Sequence, residues 1–320
     1  MAAQIYEKLK KLIDKSQRAL ILLHLYPDGD TIASSLALSA YLKSLGKSAD
    51  LAVSGQIPRA FEFLPGVDEI KHDFLLGDYD LIFAVDCGDA YRTGFPERLS
   101  TVVRSHPLVN IDHHLRNNLH KFARINLVDE TASAAAEIMY ELLTYYKAEI
   151  DSRLATYILA GIYFDTGGFQ HSNVTIRTLK IISDCLRLGG RIALVANHIN
   201  GSKSPEGLRL WGIALSRMRI SPLGIATTFL TESDLKKCGA KPEDASGVIN
   251  LVNSTPGTKL SILFLELPDG KIKASLRSES EQIDMAEFAR LFGGGGHKKA
   301  AGFTVNGRLV EKDGKWVIEN

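Results

Sequence analysis

Four short clusters of acids and histidines recur along the 320-residue chain. They are His24-Leu-Tyr-Pro-Asp28-Gly-Asp30, Asp86-Cys-Gly-Asp89, Asp112-His113-His114, and Asp165 within Tyr163-Phe-Asp-Thr-Gly-Gly-Phe169. Asp28, Asp30, Asp86 and Asp165 in one crevice would set four negative charges side by side. Like charges that close raise pKa values steeply unless cations compensate. Two divalent cations would balance four carboxylates, with His24 and one of His113 and His114 as neutral nitrogen donors. Carboxylate and imidazole without thiolate suits a manganese-type ion better than magnesium and makes a structural zinc a poor fit. Such a pair of ions can hold a bridging hydroxide and clamp a phosphoryl group. Any one cluster alone is commonly a turn or an ordinary histidine pair. All of them in one chain, in this order, point to a metal site.

Each cluster needs an element to carry it. Ala19-Leu-Ile-Leu-Leu23, Leu81-Ile-Phe-Ala-Val85 and Leu108-Val-Asn-Ile111 are short, nearly all apolar runs, as expected of strands covered on both faces. The first runs into His24, the second into Asp86 and the third into Asp112. Residues 51–53 read as a further short strand. Helices are expected at 31–45, with Thr31 as N-cap and Gly46 as stop, and at 132–146, 152–163 and 174–188, where Gly189-Gly190 ends the last. Strands alternating with helices read as a parallel α/β sheet. Ligands gather at the carboxyl ends of such strands, so the strand-end clusters are expected on one edge. His72, His106, His120, His171 and His198 read as ordinary surface or core histidines, and Phe164 and Phe169 as core.

Beyond about residue 190 the pattern changes. Residues 191–219 look largely helical, with a polar break at Asn200-Gly-Ser-Lys-Ser-Pro205. Strands are expected at 225–230, 259–266, 272–276 and 303–305, a hairpin turn at Pro268-Asp-Gly270 and a helix at 283–292, which together make a smaller α+β domain. Gly293-Gly-Gly-Gly296 lets backbone N–H groups approach an anion closely because no Cβ intervenes. The alternative is a plain helix-to-strand turn. His297, Lys298 and Lys299 put donors beside it, and Arg277 can grip a phosphate through two parallel hydrogen bonds.

Composition narrows the function. Lys plus Arg is 38 and Asp plus Glu is 37, a net charge of +1, too little for a grip on a long nucleic acid. A short or mononucleotide phosphate ligand remains compatible. The three cysteines Cys87, Cys185 and Cys238 are odd in number and widely spaced, which fits a reducing compartment. The start, MAAQIYEKLKKLI, reads as an amphipathic helix and not a signal peptide, and no apolar run approaches a membrane span. A cytoplasmic protein without membrane contact is expected.

The set His24-x-x-Pro-Asp28-Gly-Asp30, Asp86, Asp112-His113-His114 and Asp165 resembles the DHH phosphoesterase family. Gly293-Gly-Gly-Gly-His297-Lys-Lys-Ala-Ala-Gly302-Phe303 resembles the glycine-histidine signature of the companion DHHA1 domain, and Lys273-Ala-Ser-Leu-Arg277-Ser278 the strand that accompanies it. The resemblance covers essentially the whole chain. Its length looks like the nano-RNase branch, described as oligoribonucleases that also remove the 3′-phosphate of 3′-phosphoadenosine 5′-phosphate. It implies an α/β fold: a parallel-sheet DHH domain at 1–190, a helical linker at 191–220 and a DHHA1 domain at 221–320, with the active site in the cleft between the domains. It implies two Mn2+ ions, with Mg2+ or another divalent ion as alternatives, on His24, Asp28, Asp30, Asp86, His113 and Asp165, Asp86 bridging. It makes Asp112 the residue that orients a ligand imidazole, and His114 the one that faces the substrate phosphate and assists the leaving group. Arg277, Ser278, Gly295, Gly296 and His297 match the substrate-side contacts. Arg92, a few residues past Asp86 and Asp89, is expected either to reach the phosphate region or to be a surface arginine after a turn, and Asn117 is expected to steady the histidine loop. The family pattern after Asp30 is Ala-x-Gly-Ser, whereas this chain has Thr31-Ile-Ala33-Ser34.

The expected activity is therefore hydrolysis of short oligoribonucleotides to mononucleotides, and of 3′-phosphoadenosine 5′-phosphate, with RNA oligonucleotides or nucleotides as partners and a homodimer allowed. Cyclic or linear dinucleotide messengers are the alternative substrates. Pyrophosphate fits less well, because the second domain lacks a lysine-rich clamp. The non-enzymatic alternative is a nucleotide-sensing module, which would need a broken ligand set.

Overall fold

The structure, a computed structural model, describes residues 2–102, 106–114, 118–199, 204–280, 282–296, 298–312 and 315–319. The chain divides into two compact units, Met1–Gly201 and Ser202–Asn320. Among the described residues no helix is long and apolar enough to cross a membrane.

The first unit runs α1 (Ala2–Lys15), β1 (Arg18–Leu22), α2 (Gly29–Ser44), β2 (Ser48–Ala52), β3 (Leu81–Val85), α3 (Pro96–Val102), β4 (Leu108–Asp112), β5 (Ile125–Val128), α4 (Ala135–Tyr145), α5 (Ser152–Asp165), α6 (Ile176–Arg187) and α7 (Ile192–Ile199). The five strands form one parallel sheet in the order β2-β1-β3-β4-β5. The apolar runs are explained by burial on both faces. Ile21, Phe83 and Val109 face a core completed by Leu9, Leu38, Leu142 and Ile158 from the helices. Their neighbours Leu20, Ile82 and Leu108 face a smaller core under Phe74, Leu99 and Leu119. Side chains alternate across a strand, so both faces must be apolar.

Two helix starts close to the acid and histidine clusters differ from the expectation. α2 is capped by Asp28, not Thr31: the Asp28 carboxylate accepts from the amides of Asp30 at 3.1 Å and Thr31 at 3.2 Å. An aspartate reaches these amides from outside the first turn, and Thr31 is already inside it. α4 begins at Ala135, three residues later than expected, because residues 129–134 form a turn in which the Ala132 amide bonds to the Asp129 carbonyl at 3.1 Å.

The second unit runs α8 (Pro205–Ser216), β6 (Arg219–Ile220), β7 (Ile225–Leu230), α9 (Glu232–Cys238), α10 (Val248–Asn253), β8 (Leu260–Glu266), β9 (Lys271–Ser278), α11 (Met285–Arg290), β10 (Gly295–Gly296), β11 (Ala300–Asn306), β12 (Arg308–Lys312) and β13 (Lys315–Glu319). Its main sheet is mixed, in the order β10-β11-β9-β8-β7-β6, with only β7 and β8 parallel. One face packs on α8, α9 and α10, the other on α11. Residues 200–203, within the expected polar break, lie outside the described residues.

Asp234 anchors this second unit. It is 2% exposed and takes bonds from the Arg217 guanidinium at 2.9 Å and from the Thr231 amide at 2.8 Å and hydroxyl at 2.7 Å. Burial disfavours its carboxylate, but Arg217 and Thr231 outweigh that and hold the group below the ordinary carboxylate range. Such a group contributes stability that is fully present above its ordinary pKa and lost as pH falls through the folded value. The urea midpoint is therefore expected to fall as pH drops below about 4. Asp234→Asn should lower stability at neutral pH by about 2 kcal/mol and flatten this acid limb. Both tryptophans, Trp211 and Trp316, lie in this unit, so their emission follows its unfolding selectively.

Candidate metal centre

β1, β3 and β4 are parallel, and their carboxyl ends deliver His24, Asp86 and the pair His113-His114 to one place. Asp28 and Asp30 enter at the start of α2, and Asp165 is the last residue of α5. Three groups of ligand atoms lie within 4.8 Å of one another: His24 with Asp28 and Asp86; Asp30 with His113 and Asp165; and Asp86 with His113 and His114. The first two groups share no residue, and the third joins them. His113 Nε2 stands 3.4 Å from Asp86 Oδ1, 3.1 Å from Asp165 Oδ2 and 4.0 Å from Asp30 Oδ2. His24 Nε2 is 3.4 Å from Asp28 Oδ2. All six residues expected as metal ligands are thus brought together.

The electrostatics of this cluster are unbalanced. Burial, then the charges of Asp86 and Asp165, push Asp30 well above the ordinary carboxylate range. Burial also raises Asp165, against the pull of His113. Burial opposes the Asp86 carboxylate too, but bonds from His113 and His114 outweigh it and hold Asp86 well below the usual range. Meanwhile His24 Nε2 is buried and makes no hydrogen bond among the described residues. Buried polar atoms are rarely left so unless a ligand takes them. The donor set is oxygen and imidazole nitrogen without sulfur, and the three cysteines Cys87, Cys185 and Cys238 are free and buried elsewhere in the cores. The residues fit hard or borderline divalent cations.

The surroundings hold each group in orientation. His113 Nδ1 faces the Ala132 carbonyl at 3.3 Å, which turns Nε2 toward the carboxylates. Asp112, expected to orient an imidazole of the cluster, faces that of His114 and not that of His113. Asp112 Oδ1 accepts from the His114 amide at 2.9 Å and faces its Nδ1 at 2.7 Å, while Oδ2 accepts from the Gly88 amide. The reason is geometric: an aspartate two residues before an imidazole reaches back to that ring, not to the one between. Burial works against the His114 imidazolium, but Asp112 and Asp86 push it up to about 9. Arg92 Nη1 faces its Nε2 at 3.1 Å. A guanidinium only donates, so this contact requires the neutral ring with its proton on Nδ1. A cation neutralising Asp86 would weaken the attraction for the second proton and favour that tautomer.

Asp30 is the most constrained of the six. It is fully buried and accepts from the Ala135 and Ala136 amides at the start of α4 and from Ser34 Oγ at 2.9 Å. Ser34 is part of the family-like run, and its role here is to brace Asp30. Gly161 of α5 passes so close that a Cβ there would lie 2.6 Å from Asp30 Oδ1 and from Ala136 Cβ. Thr31, where the family pattern has alanine, ties two strand ends: its hydroxyl donates to the Val85 carbonyl at 2.9 Å, and the His24 amide approaches it at 3.5 Å. Asp86 adopts a left-handed backbone with φ 58°, a conformation that non-glycine residues reach at some cost and that recurs at functional sites.

Several supporting residues escaped the sequence reading. His171 faces the Asp165 carbonyl at 3.2 Å, so it buttresses the loop after α5 and is not an incidental histidine. Asn173 Nδ2 donates to the Ser133 carbonyl at 3.1 Å and the Asp165 carbonyl at 3.3 Å, stapling the turn before α4 to that same loop. The only sequence signals were a glycine inside an apolar helix at Gly161 and polar residues crowded after Asp165. Asn117 lies outside the described residues; its neighbour Asn118 accepts from the Ala90 amide at 2.9 Å.

Arg277, Ser278, Gly295 and Gly296, expected on the substrate side, belong to the second unit. Arg277 is half-buried, its Nε donating to Asn250 Oδ1 at 3.2 Å and its Nη1 to the Leu276 carbonyl at 2.9 Å. Ser278 is fully buried, and its hydroxyl donates to the Lys259 carbonyl at 2.7 Å while accepting from the Ser280 amide at 3.1 Å. The glycine run has two jobs. Gly293 and Gly294 close α11, their amides bonding to the carbonyls of Arg290 at 3.1 Å and Ala289 at 2.9 Å. Gly295 and Gly296 are exposed and pair with β11. The plain-turn reading therefore holds for the first two glycines and leaves the last two open. His297 lies outside the described residues.

Residues 18–162 match the DHH family, N-terminal domain, and residues 225–314 match the DHHA1 domain. Over 297 residues the chain is 30% identical to the bifunctional oligoribonuclease and PAP phosphatase NrnA of Thermus thermophilus, covering 92% of this chain and 86% of that one. The chain belongs to the DHH phosphoesterase family. As a DHH protein it is a hydrolase. It also superposes on the crystal structure of an exopolyphosphatase-related protein from Bacteroides fragilis, with a TM-score of 0.86 at 28% identity and coverage of 94% and 91%. The more distant RecJ of Thermus thermophilus, in complex with Mn2+, shares the fold with a TM-score of 0.51 at 17% identity, covering 95% of this chain and 52% of RecJ.

In this DHH protein, Mn2+ at a hundredfold excess over its dissociation constant should stabilise the fold by about 2.7 kcal/mol, read as a rise in melting temperature that a chelator reverses. Asp86→Ala should abolish that rise. Gly161→Ala should lower stability by about 1–3 kcal/mol through overpacking and shrink the manganese response with it. An undiminished response in Asp86→Ala would place the ion elsewhere.

Proposed function

We propose that this chain hydrolyses short oligoribonucleotides to mononucleotides and removes the 3′-phosphate of 3′-phosphoadenosine 5′-phosphate, using two divalent ions, manganese by preference. The observation that carries this reading is the pair of separate donor groups joined through Asp86 and His113. Its support for these substrates is the relative from Thermus thermophilus, named as an oligoribonuclease and PAP phosphatase. His24, Asp28 and Asp86 would hold one ion, and Asp30, His113 and Asp165 the other. Divalent ions bound there would stabilise the charge that develops on phosphoryl oxygens and supply a water acidic enough to attack near neutral pH.

The chain's own residues do the rest. Asp112 keeps Nδ1 of His114 protonated, so once Arg92 leaves Nε2 that nitrogen can take a proton from solvent and pass it to the leaving oxygen. Arg92 turns from Nε2 to the phosphate when substrate enters, which frees that nitrogen and places a bidentate donor on the anion. Arg277 and the exposed backbone at Gly295 and Gly296 would take further phosphate oxygens, with His297 next in the chain. Ser278, its hydroxyl already committed, would set the strand that presents Arg277.

A panel with Mn2+ tests this: RNA of two to five nucleotides, 3′-phosphoadenosine 5′-phosphate, a cyclic dinucleotide and pyrophosphate. RNA dinucleotides and 3′-phosphoadenosine 5′-phosphate should lead in kcat/KM. A clear preference for the cyclic dinucleotide or pyrophosphate would overturn the assignment. Asp86→Asn and His113→Ala should each cost about a thousandfold or more. His114→Ala should cost about 10²–10⁴-fold, and Asp112→Asn, which acts through His114, about 10–100-fold.

A further inference from the structure

Two tyrosines stand at the rim of the metal centre with their rings in solvent. Tyr26 lies in the loop after β1, between His24 and Asp28, and is 81% exposed. Tyr91 lies in the loop after β3, beside Arg92, and is 70% exposed. Neither ring makes an aromatic, cation–π or hydrogen-bond contact among the described residues. The two loops are joined directly, because the Leu25 amide donates to the Arg92 carbonyl at 2.5 Å. Each tyrosine is the immediate neighbour of one partner in that bond. Both loops are also held still. Pro27 disfavours helical backbone at Tyr26. The Arg92 amide donates to Asp89 Oδ1 at 2.8 Å and the Gly94 amide to the Tyr91 carbonyl at 3.0 Å, which fixes the turn that carries Tyr91.

Large aromatic rings normally contribute by burial, and a tyrosine on a rigid loop orders only two side-chain torsions when something covers it. The adjoining chemistry says what would cover it: Arg92 and the carboxylate–histidine cluster suit a phosphoryl group, and a nucleotide attaches a flat base to that group. We propose that Tyr26 and Tyr91 form a stacking rim on which the unpaired bases of the substrate rest while its phosphate occupies the centre. The inference rests on the reading under Proposed function and adds to it a nucleobase subsite. Stacking reads ring area and not base edges, so this rim discriminates weakly between sequences and favours purines over pyrimidines.

The test uses the full chain with Mn2+. For an adenine dinucleotide, Tyr26→Ala and Tyr91→Ala should each raise KM about tenfold with a much smaller change in kcat, while the phenylalanine variants recover most of the loss. On an abasic dinucleotide the same alanine variants should show a penalty several-fold smaller. A 2-aminopurine dinucleotide with an uncleavable methylphosphonate link should be quenched on binding, and less so with the double alanine variant. Equal losses on abasic and base-bearing substrates, or unaltered quenching in the double variant, would remove the stacking rim while leaving the proposed activity standing. Failure of the unaltered chain to cleave any base-bearing substrate would remove both.

Discussion

Carboxylates that repel one another inside a space too dry to screen them govern this molecule. Asp30, Asp86 and Asp165 are buried together around His113, and protons alone do not settle them: Asp30 and Asp165 are driven up while Asp86 is driven down. Such a cluster is costly without a compensating cation. A fold that retains it must supply rigid positions from several directions. The parallel sheet does this readily, because its strands all end on the same edge and each contributes one group.

Rigidity at that edge comes from backbone and supporting contacts more than from the ligands themselves. Asp30 is fastened by the first amides of α4 and by Ser34, and α5 must present glycine at position 161 for the three helices to close around it. Asp28 divides its two oxygens between capping α2 and facing His24. Asp112 commits one oxygen to the amide and ring of His114 and the other to the Gly88 amide in the loop after β3. A side chain fixed at both ends gives little of its binding energy to ordering, and this is what a charged substrate requires of its site.

Much of the fold could be read directly. Apolar runs of strand length predict a sheet covered on both faces, and that is what Ile21 and Leu20, or Phe83 and Ile82, form on opposite sides. β5 was not legible, because its alternating burial leaves a mixed apolar and polar run. The short strands β6 and β10 were not legible either, since two residues carry no periodicity. The acid and histidine cluster was legible residue by residue, because so many such groups in one chain, three of them directly after apolar runs, are hard to obtain from turns alone. Its supports were not. Asn173, His171 and the Ala132 carbonyl are ordinary in sequence and acquire meaning only where the chain returns to the site.

The sequence by itself therefore determined which atoms are available for chemistry and that they end on one edge of a parallel sheet, since residue type and the period of burial are local properties. Only the tertiary structure decided which of those atoms face one another: that the Ala135 and Ala136 amides close on Asp30, that the Ala132 carbonyl turns His113 toward the carboxylates, and that Asn173 ties Ser133 to the loop after α5. These depend on where a second segment arrives in space. A hydrogen bond or a close approach is a property of two segments, and spacing along one of them does not contain it.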